Sequence, residues 1–201
     1  MIMAKVLGVT GGIGSGKSHV CKVFASLGCA VYDSDSRTKQ LYEENEDLLR
    51  GLQELLGKGI LKKIKGKTVL DKKAMASVIF SDKALMGKVK EFVYPFVMED
   101  FKKWKRWKRG VVLFESAVIL ENDYVRGFMD KTLVVTAPLE ERIARVIKRD
   151  KISIEEVESR LKSQCSDKER IAKADFVIES VDGSDIESEA RKILKQMITV
   201  N

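Results

Sequence analysis

The sequence predicts an α/β fold in which a parallel sheet of five strands is flanked by helices and carries an inserted helical domain and a lid. Short apolar runs alternate with segments of helical periodicity, which is typical of a parallel sheet buried on both faces. The second and third runs are separated by the interval 35–110, which is too long for a simple crossover connection. The predicted strands are Val6 to Thr10, Ala30 to Tyr32, Val111 to Phe114, Thr132 to Val135 and Phe176 to Ile178.

The first strand leads into a glycine-rich loop with the spacing GxxxxGK(S/T), which is a phosphate-binding loop. In this motif the backbone N–H groups surround the phosphates, Lys17 reaches the β- and γ-phosphates, and the Ser18 hydroxyl is a ligand of Mg²⁺. A segment of helical periodicity, 18–27, follows the loop as the motif requires. The sequence therefore predicts that a nucleoside triphosphate binds at Gly11, Gly12, Ile13, Gly14, Ser15, Gly16, Lys17 and Ser18.

Two aspartates, Asp33 and Asp35, follow the second strand at the carboxyl edge of the sheet, where α/β folds build their sites. Phosphoryl transfer to a hydroxyl needs a group that orients the acceptor and takes its proton, and either carboxylate suits that role. Their alternate spacing points both side chains to one side if the strand continues through Asp35. Alternatively, Ser34 or Asp35 caps a helix that begins near Ser36. Asp33, the nearer of the two to Ser18, is better placed to hold metal-bound water.

The third strand ends in an acid, Glu115, directly after its apolar run. This position matches the second acidic motif of P-loop proteins, which orders the ligand shell of Mg²⁺. The alternative is a solvated acid at the end of a buried strand. The predicted metal site therefore consists of Ser18, with Asp33 or Glu115 acting through water.

The interval 35–109 is predicted to form the inserted helical domain that binds the acceptor, while 1–34 and 110–201 form the nucleotide-binding core. The basic, glycine-punctuated stretch 58–67 is predicted to be a solvated turn or loop. Apolar residues later in the interval recur at three- and four-residue steps, which indicates a helix with a buried stripe. These residues are Phe92, Phe96, Val97, Phe101 and Trp104.

The helix after the fourth strand carries Arg142, Arg145 and Arg149 at three- and four-residue spacing, which places them on one face. A basic face of this kind invites phosphates, and the alternative is a solvated charged helix. The segment that follows is predicted to be a lid, at about 150–168, that closes over the nucleotide and brings arginines to the γ-phosphate. Capping boxes predict three helices in this part of the chain, at Ser153 with Glu156, Ser166 with Glu169, and Ser184 with Glu187.

Composition narrows the class of protein. The chain has 201 residues and a formal net charge of +7 that is spread along its length, which favours anionic ligands such as nucleotides. Its three cysteines show no C-x-x-C spacing, so we expect reduced thiols in a cytosolic protein. No run approaches the roughly 18 apolar residues of a membrane helix, and no signal segment is apparent. We therefore expect a soluble, cytoplasmic protein, with the single histidine, His19, on a helix surface.

Taken together, the chain resembles the dephospho-coenzyme A kinase family over nearly its whole length. The segment 8–18 is close to that family's phosphate loop, and Leu27-Gly28 followed by Asp33-Ser34-Asp35 is similar to its Leu-Gly and Asp-x-Asp elements. Further matching elements follow in family order: Ile79-Phe80, Tyr94-Pro95, Leu120-Glu121, Arg145 with Arg149-Asp150, Arg160 with Gln164, and Ala174-Asp175-Phe176-Val177-Ile178.

The resemblance implies a P-loop kinase that transfers the γ-phosphoryl group of ATP to the ribose 3′-hydroxyl of dephospho-CoA, the last step of coenzyme A synthesis. It implies that Mg²⁺ bridges the β- and γ-phosphates and that Asp35 is the base. Lys17, Arg145 and Arg149 would be the other catalytic residues, and Asp33, Asp35, Tyr94 and Pro95 would bind the acceptor.

The sequence departs from the family's usual pattern at five places, which bear on the acceptor pocket more than on the ATP site. The family usually has His at Tyr94, Gln at Arg142, Arg at Lys39, Asn near Ser180, and an Asp-x-Pro-Leu-Leu element at 115–119.

Two other functions remain open at this stage. Another nucleoside or nucleoside monophosphate kinase would use the same loop, acid and arginines. An ATP-responsive RNA-binding protein would use the segment 104–109, where tryptophans alternate with cations. We expect small-molecule partners, ATP and dephospho-CoA, rather than nucleic acid or a membrane. A GTPase is disfavoured because no N-K-x-D motif follows the third strand, and the sequence does not predict an oligomeric state.

Overall fold

A computed structural model describes residues 4–64, 66–80 and 82–199. Its strands are β1 (Lys5–Thr10), β2 (Ala30–Asp33), β3 (Leu61–Ile64), β4 (Lys67–Leu70), β5 (Val111–Glu115), β6 (Lys131–Thr136) and β7 (Phe176–Glu179). Its α-helices are α1 (Lys17–Ser26), α2 (Ser34–Glu44), α3 (Glu46–Leu56), α4 (Lys72–Phe80), α5 (Lys83–Lys105), α6 (Asp123–Arg126), α7 (Leu139–Asp150), α8 (Ile154–Lys162), α9 (Asp167–Lys173) and α10 (Ile186–Thr199). Two 3₁₀ turns lie at Lys58–Ile60 and Ile119–Glu121.

The chain divides into two compact units. The first unit comprises the described residues up to Asp33 and those from Lys105 onward, and the second unit is Ser34–Trp104. The first unit contains a five-stranded sheet in the order β2-β5-β1-β6-β7, in which all neighbouring strands run parallel. This confirms the predicted α/β fold with a parallel five-stranded sheet.

The core of the first unit lies between this sheet and the helices that cover it. Leu7 and Val9 of β1, with Leu133 and Val135 of β6, have no exposed surface. They belong to one cluster with Val20, Phe24, Ile178, Ala190, Ile193 and Met197, which come from α1, β7 and α10. Burial of this apolar surface is what fixes the central strand, and hence the loop that follows it, in place.

The ends of β2 and β5 differ from the prediction in a way that affects the site. Both strands extend by one residue to include an acid, Asp33 in β2 and Glu115 in β5. The second strand does not continue through Asp35, because α2 begins at Ser34. The condition for the two aspartates to alternate along one strand is therefore not met, and Ser34 and Asp35 lie inside the helix and do not cap it. Asp35 instead lies in the first turn of α2, where its negative charge interacts favourably with the positive end of the helix dipole.

The second unit contains α2 to α5, as the helical pattern predicts, and one antiparallel hairpin that was predicted to be a loop. In this hairpin β3 pairs with β4, and Leu61 lies opposite Leu70. Lys62 and Lys63 are exposed and Ile64 is 49% exposed, so the hairpin has almost no apolar alternation along β3. A strand this short and this rich in lysine gives no period-two signal in the sequence.

Helix α5 presents a buried face that is shifted relative to the predicted stripe. Val97 and Phe101 are buried as predicted, together with Val89, Val93 and Met98. Phe92, Phe96 and Trp104 are half-buried, and the Trp104 ring stacks on Phe101 at a centroid distance of 6.0 Å. Trp104 thus contributes to packing, whereas Trp107 is 75% exposed.

Helix starts in the C-terminal third are confirmed in two of three cases. Both halves of the capping box are present at Ser153 with Glu156 and at Ser166 with Glu169. The prediction at Ser184 is wrong, because α10 begins later and Asp185 accepts a hydrogen bond from the backbone N–H of Ser188 at 3.0 Å. The Ser184 hydroxyl donates to the carbonyl of Val181 instead. An aspartate one residue further on supplies the cap equally well.

Three expectations from the sequence concern the cysteines, the histidine and membrane-spanning helices. Cys21 is buried, Cys29 and Cys165 are half-buried, and all three thiols are free. His19 is exposed on α1. Within the described ranges, no helix combines the length and apolar character needed to cross a bilayer.

Candidate active site

The phosphate loop lies between β1 and α1, at the carboxyl edge of the five-stranded sheet. Gly14 and Gly16 adopt φ values of 77° and 93°, a left-handed conformation that glycine adopts without strain. A Cβ atom at Gly12 would collide with the guanidinium group of Arg142, and one at Gly16 would lie 2.5 Å from the Ser180 hydroxyl. The glycines of the motif are therefore required both by backbone conformation and by close packing against the rest of the first unit.

Lys17 is the first residue of α1, and its side chain folds back over the loop. Its ammonium group donates to the carbonyl oxygens of Gly11 at 2.8 Å and Gly12 at 3.3 Å. These contacts hold the ammonium at the mouth of the loop rather than out in solvent. The loop thus combines backbone N–H groups, the N-terminus of a helix and a fixed cation, which is the arrangement that binds phosphates.

Ser18 and Glu115 are brought together, although they are separated by 97 residues in the chain. The Ser18 hydroxyl donates to Oε1 of Glu115 at 2.8 Å. Glu115 is paired in register with Val9 of β1 on one side and with Asp33 of β2 on the other. The structure therefore places the hydroxyl and two carboxyl-bearing strand ends at one edge of the sheet, which are the oxygen donors that Mg²⁺ prefers.

The described residues contain no cluster of three or more His, Cys, Asp or Glu side chains that could cage a metal ion by themselves. This is compatible with Mg²⁺, which usually takes one or two protein ligands and completes its shell with water and phosphate oxygens. Cys21 lies near these acids, but burial, followed by the charge of Glu115, raises the pKa of its thiol. This shift favours the protonated form of the thiol at neutral pH.

Two of the three arginines on the basic face of α7 hold the phosphate loop. Nε of Arg142 donates to the carbonyl oxygen of Ile13 at 2.9 Å, and burial lowers the pKa of Arg142. Arg145 donates to the carbonyl oxygen of Ser180 at 2.8 Å and lies 3.5 Å from that of Gly14. Arg145 also pairs with Glu141 at 2.6 Å. The basic face is thus largely packed against the loop and is not simply solvated.

The third arginine, Arg149, has a different environment. It forms two hydrogen bonds to the carboxylate of Asp150, at 2.7 and 3.0 Å, and its side chain is 64% exposed. Hydrogen bonding to Asp150 raises the pKa of Arg149, and Arg149 in turn lowers the pKa of Asp150. Arg160 contacts the same carboxylate at 3.2 Å. Arg149 therefore belongs to a surface ion cluster at the start of the predicted lid.

Four residues near the loop were given no role by the sequence. The side chain of Gln164 accepts a hydrogen bond from the backbone N–H of Ile13 at 2.9 Å. Asp167 pairs with both Arg142 and Arg170, and Arg170, which is only 1% exposed, also pairs with Glu121. Gln164 and Glu121 stood among the family-like elements, but no local pattern indicates that either would contact these partners.

The remaining predicted site residues belong to the second unit. Asp35 lies in the first turn of α2, and Tyr94 and Pro95 lie within α5. These two helices are tied together by Arg37, which donates to both carboxylate oxygens of Asp100 at 3.0 and 2.7 Å. The structure thus places the loop, Ser18, Asp33, Glu115 and the arginines in the first unit, and Asp35, Tyr94 and Pro95 in the second.

A family model described as dephospho-CoA kinase matches residues 5–185 of the chain. The chain is 31% identical to a dephospho-CoA kinase of Chlorobaculum tepidum, and the alignment covers 97% of this chain and 96% of that protein. It is 36% identical to a dephospho-CoA kinase of Fusobacterium nucleatum, with 94% of each chain covered.

Solved structures show the same likeness. A crystal structure of a Thermus thermophilus protein superposes with a TM-score of 0.82 at 30% identity and covers 99% of this chain and 100% of that chain. A dephospho-CoA kinase from Campylobacter jejuni gives a TM-score of 0.57 at 25% identity, with 98% of each chain covered. A shikimate kinase from Acinetobacter baumannii gives 0.56 at 19% identity, covering 98% of this chain and 94% of that chain, which supports the fold alone.

Proposed function

We propose that this chain, which belongs to the dephospho-CoA kinase family, phosphorylates its substrate at the carboxyl edge of the five-stranded sheet. It is an ATP-dependent kinase that transfers the γ-phosphoryl group to the ribose 3′-hydroxyl of dephospho-CoA and gives coenzyme A, the last step of that synthesis. The observation that carries this conclusion is the family match over residues 5–185, which spans both units. It favours this reaction over another nucleoside kinase or an RNA-binding protein.

The phosphate loop is the proposed ATP site. Lys17 lies against the loop carbonyls, so its ammonium group is held beside the loop that would receive the β- and γ-phosphates. A cation fixed in this way stabilises the charge that spreads over the transferring phosphoryl group. Arg145, fixed between Ser180 and Glu141, supplies a second cation beside Gly14.

Ser18 and Glu115 are the proposed holders of Mg²⁺. Their contact at 2.8 Å provides a hydroxyl and a carboxylate, and Asp33 lies at the adjoining strand position. These oxygen donors fit Mg²⁺, which would neutralise phosphate charge when it is bound. In this proposal Ser18 contacts the metal directly, while Asp33 or Glu115 orients its water ligands.

Asp35 is the proposed base that orients the 3′-hydroxyl and takes its proton. The family resemblance favours it over Asp33, and its place at the start of α2 supports a division of roles. Asp33 is the last residue of a strand that borders Glu115, which suits contact with the metal's water. Asp35 belongs to the unit that also carries Tyr94 and Pro95, the proposed acceptor contacts.

Arg149 and the segment 150–168 are the proposed lid. In the ion cluster of Arg149, Asp150 and Arg160 both arginines are exposed and Asp150 is 23% exposed, and ion pairs near the surface are individually weak. Arg149 can therefore exchange Asp150 for a phosphate at low cost. The proposal also includes a cytoplasmic location, with ATP and dephospho-CoA as small-molecule partners.

The test is a coupled assay of ADP release with and without dephospho-CoA, followed by mass spectrometry of the product. Release that depends on dephospho-CoA, with one phosphoryl group added to the ribose, is the expected result. Equal or faster turnover with a nucleoside or nucleoside monophosphate would instead assign the acceptor to that class. Negligible turnover with every small acceptor, together with tight RNA binding, would support an ATP-responsive RNA-binding protein.

A further inference from the structure

The phosphate loop is gripped at one residue from two directions. Both backbone polar groups of Ile13 are bonded to side chains: its N–H donates to Oε1 of Gln164 at 2.9 Å, and its carbonyl accepts from Nε of Arg142 at 2.9 Å. Because a backbone N–H can only donate, the atom that faces it must be the amide oxygen of Gln164. The orientation of that amide is therefore fixed by the contact.

The two side chains come from either side of α8 along the chain. Arg142 belongs to α7, which precedes α8, and Gln164 follows α8. In the chain, Gln164 lies 151 residues from Ile13, so the contact is a product of the tertiary fold alone. A movement of α8 relative to α7 would release one side of Ile13 and keep the other.

Arg142 is itself held by a chain of alternating charges in which both arginines are buried and both carboxylates are partly exposed. It pairs with Asp167, which pairs with Arg170 at 3.2 Å, which pairs with Glu121 at 2.7 Å. Arg142 and Arg170 are buried, with side-chain exposures of 7% and 1%. Arg170 and Glu121, which lie outside the segment 150–168, hold Asp167 in place, so the Gln164 side of Ile13 is the one that can open.

Ile13 is flanked by two glycines, so the hydrogen bonds to its backbone restrain a flexible part of the loop. Gly12 and Gly14 leave the intervening peptide more conformational freedom than other residue types would, and that freedom must be lost when phosphates bind. A hydrogen bond that holds the Ile13 peptide in place removes part of that cost before ATP arrives.

We propose that Gln164 is a positioning residue of the ATP site, which holds the phosphate loop in its receptive shape through the N–H of Ile13 and releases it when α8 moves away from the loop. The inference rests on the proposed binding of ATP at this loop. Gln164 acts on the loop and not on the γ-phosphoryl group, so its loss affects ATP and ADP alike.

The test compares wild type, Gln164→Ala, Gln164→Glu and the control Gln196→Ala, which removes an exposed glutamine on α10. Amide exchange at Ile13 is measured by NMR in the nucleotide-free full chain, and ATP and ADP affinities are measured by calorimetry. The net free energy of one hydrogen bond changes an equilibrium constant by roughly 2- to 12-fold. Gln164→Ala should speed amide exchange at Ile13 and lower the affinities for ATP and ADP by factors in this range. Gln196→Ala should leave the exchange rate and both affinities unchanged.

The variant Gln164→Glu keeps an acceptor oxygen, so amide exchange at Ile13 should stay slow. Its negative charge should lower the affinities for both ATP and ADP, because it repels their phosphates. Unchanged exchange and unchanged affinities in Gln164→Ala would overturn the proposal. Loss of ATP affinity with ADP affinity intact would also overturn it, because Gln164 would then contact the γ-phosphoryl group. If wild type binds neither nucleotide, the proposed ATP site fails, whereas exchange at Ile13 still tests the grip.

Discussion

Replacing Arg170 by methionine should destabilise the first unit far more than the loss of an ordinary surface ion pair. Arg170 is 1% exposed and donates to Glu121 at 2.7 Å and to Asp167 at 3.2 Å. A hydrogen bond to a charged group contributes about 1.5–3 kcal/mol, so both bonds together set the upper limit of the loss. Methionine fills a similar volume and leaves apolar packing largely intact.

Two features of the structure reduce this loss. Nε of Arg170 has no hydrogen-bond partner in the described part of the chain, so its removal relieves a buried N–H that costs about 1–3 kcal/mol. The carboxylates it leaves behind, on Asp167 and Glu121, are 29% and 31% exposed and stay hydrated, and Asp167 keeps Arg142. We therefore expect Arg170→Met to lower the free energy of unfolding by about 2–4 kcal/mol.

The assay is urea unfolding followed by circular dichroism, with Arg191→Met as the matched control. Arg191 pairs with Glu187 at 2.7 Å as well, but these side chains are 64% and 58% exposed, so its loss should cost less than about 0.5 kcal/mol. A double-mutant cycle of Arg170→Met with Glu121→Gln should give a coupling of about 1.5–3 kcal/mol. Equal, small effects of the two arginine variants would refute the reasoning.

The remaining predictions concern catalysis. Lys17→Ala should nearly abolish phosphoryl transfer with the fold retained, and an unchanged kcat would refute the loop assignment. Ser18→Ala should chiefly weaken the Mg²⁺-dependent part of ATP binding, so a titration of Mg²⁺ that is identical in both proteins would contradict it. Asp35→Asn should lower kcat by roughly 10²- to 10⁴-fold with little change in ATP affinity, and Asp33→Asn should do less. The reverse order would move the base to Asp33. Arg145→Ala should lower kcat more than it weakens ATP binding, whereas a change confined to KM for ATP would assign Arg145 to ground-state binding.

The parallel sheet and the phosphate loop could be predicted because their signals are local. Each strand is a short apolar run between turn signals, and the loop's glycines, Lys17 and Ser18 are contiguous with β1. Segments of a few contiguous residues were therefore enough to predict each of these strands and the loop. The Ser18 to Glu115 contact then follows from two strand ends at one edge of the sheet.

Contacts between distant side chains that neither a motif nor a shared sheet edge connects could not be predicted. Arg170 lies 49 residues from Glu121, and Gln164 lies 151 residues from Ile13, and no period or spacing connects such pairs. The error at Asp35 has a different cause. Whether a strand ends at residue 33 or 35 depends on how well the following segment forms a helix, and element boundaries are the weakest part of any pattern. For α7 the sequence left a phosphate-binding face and a solvated face open, and it gave no indication that Arg142 is buried.

The chain of charges through Arg142, Asp167, Arg170 and Glu121 should affect the thermal stability of the phosphate loop. The cost of removing charged groups from water falls as temperature rises, while apolar burial gains little more per unit area. The two buried arginines therefore stabilise the protein more, relative to the apolar core, in a hot solution than in a cold one. Because Arg142 ends this chain at the carbonyl of Ile13, the anchored side of the phosphate loop should be among the last parts of the first unit to loosen thermally.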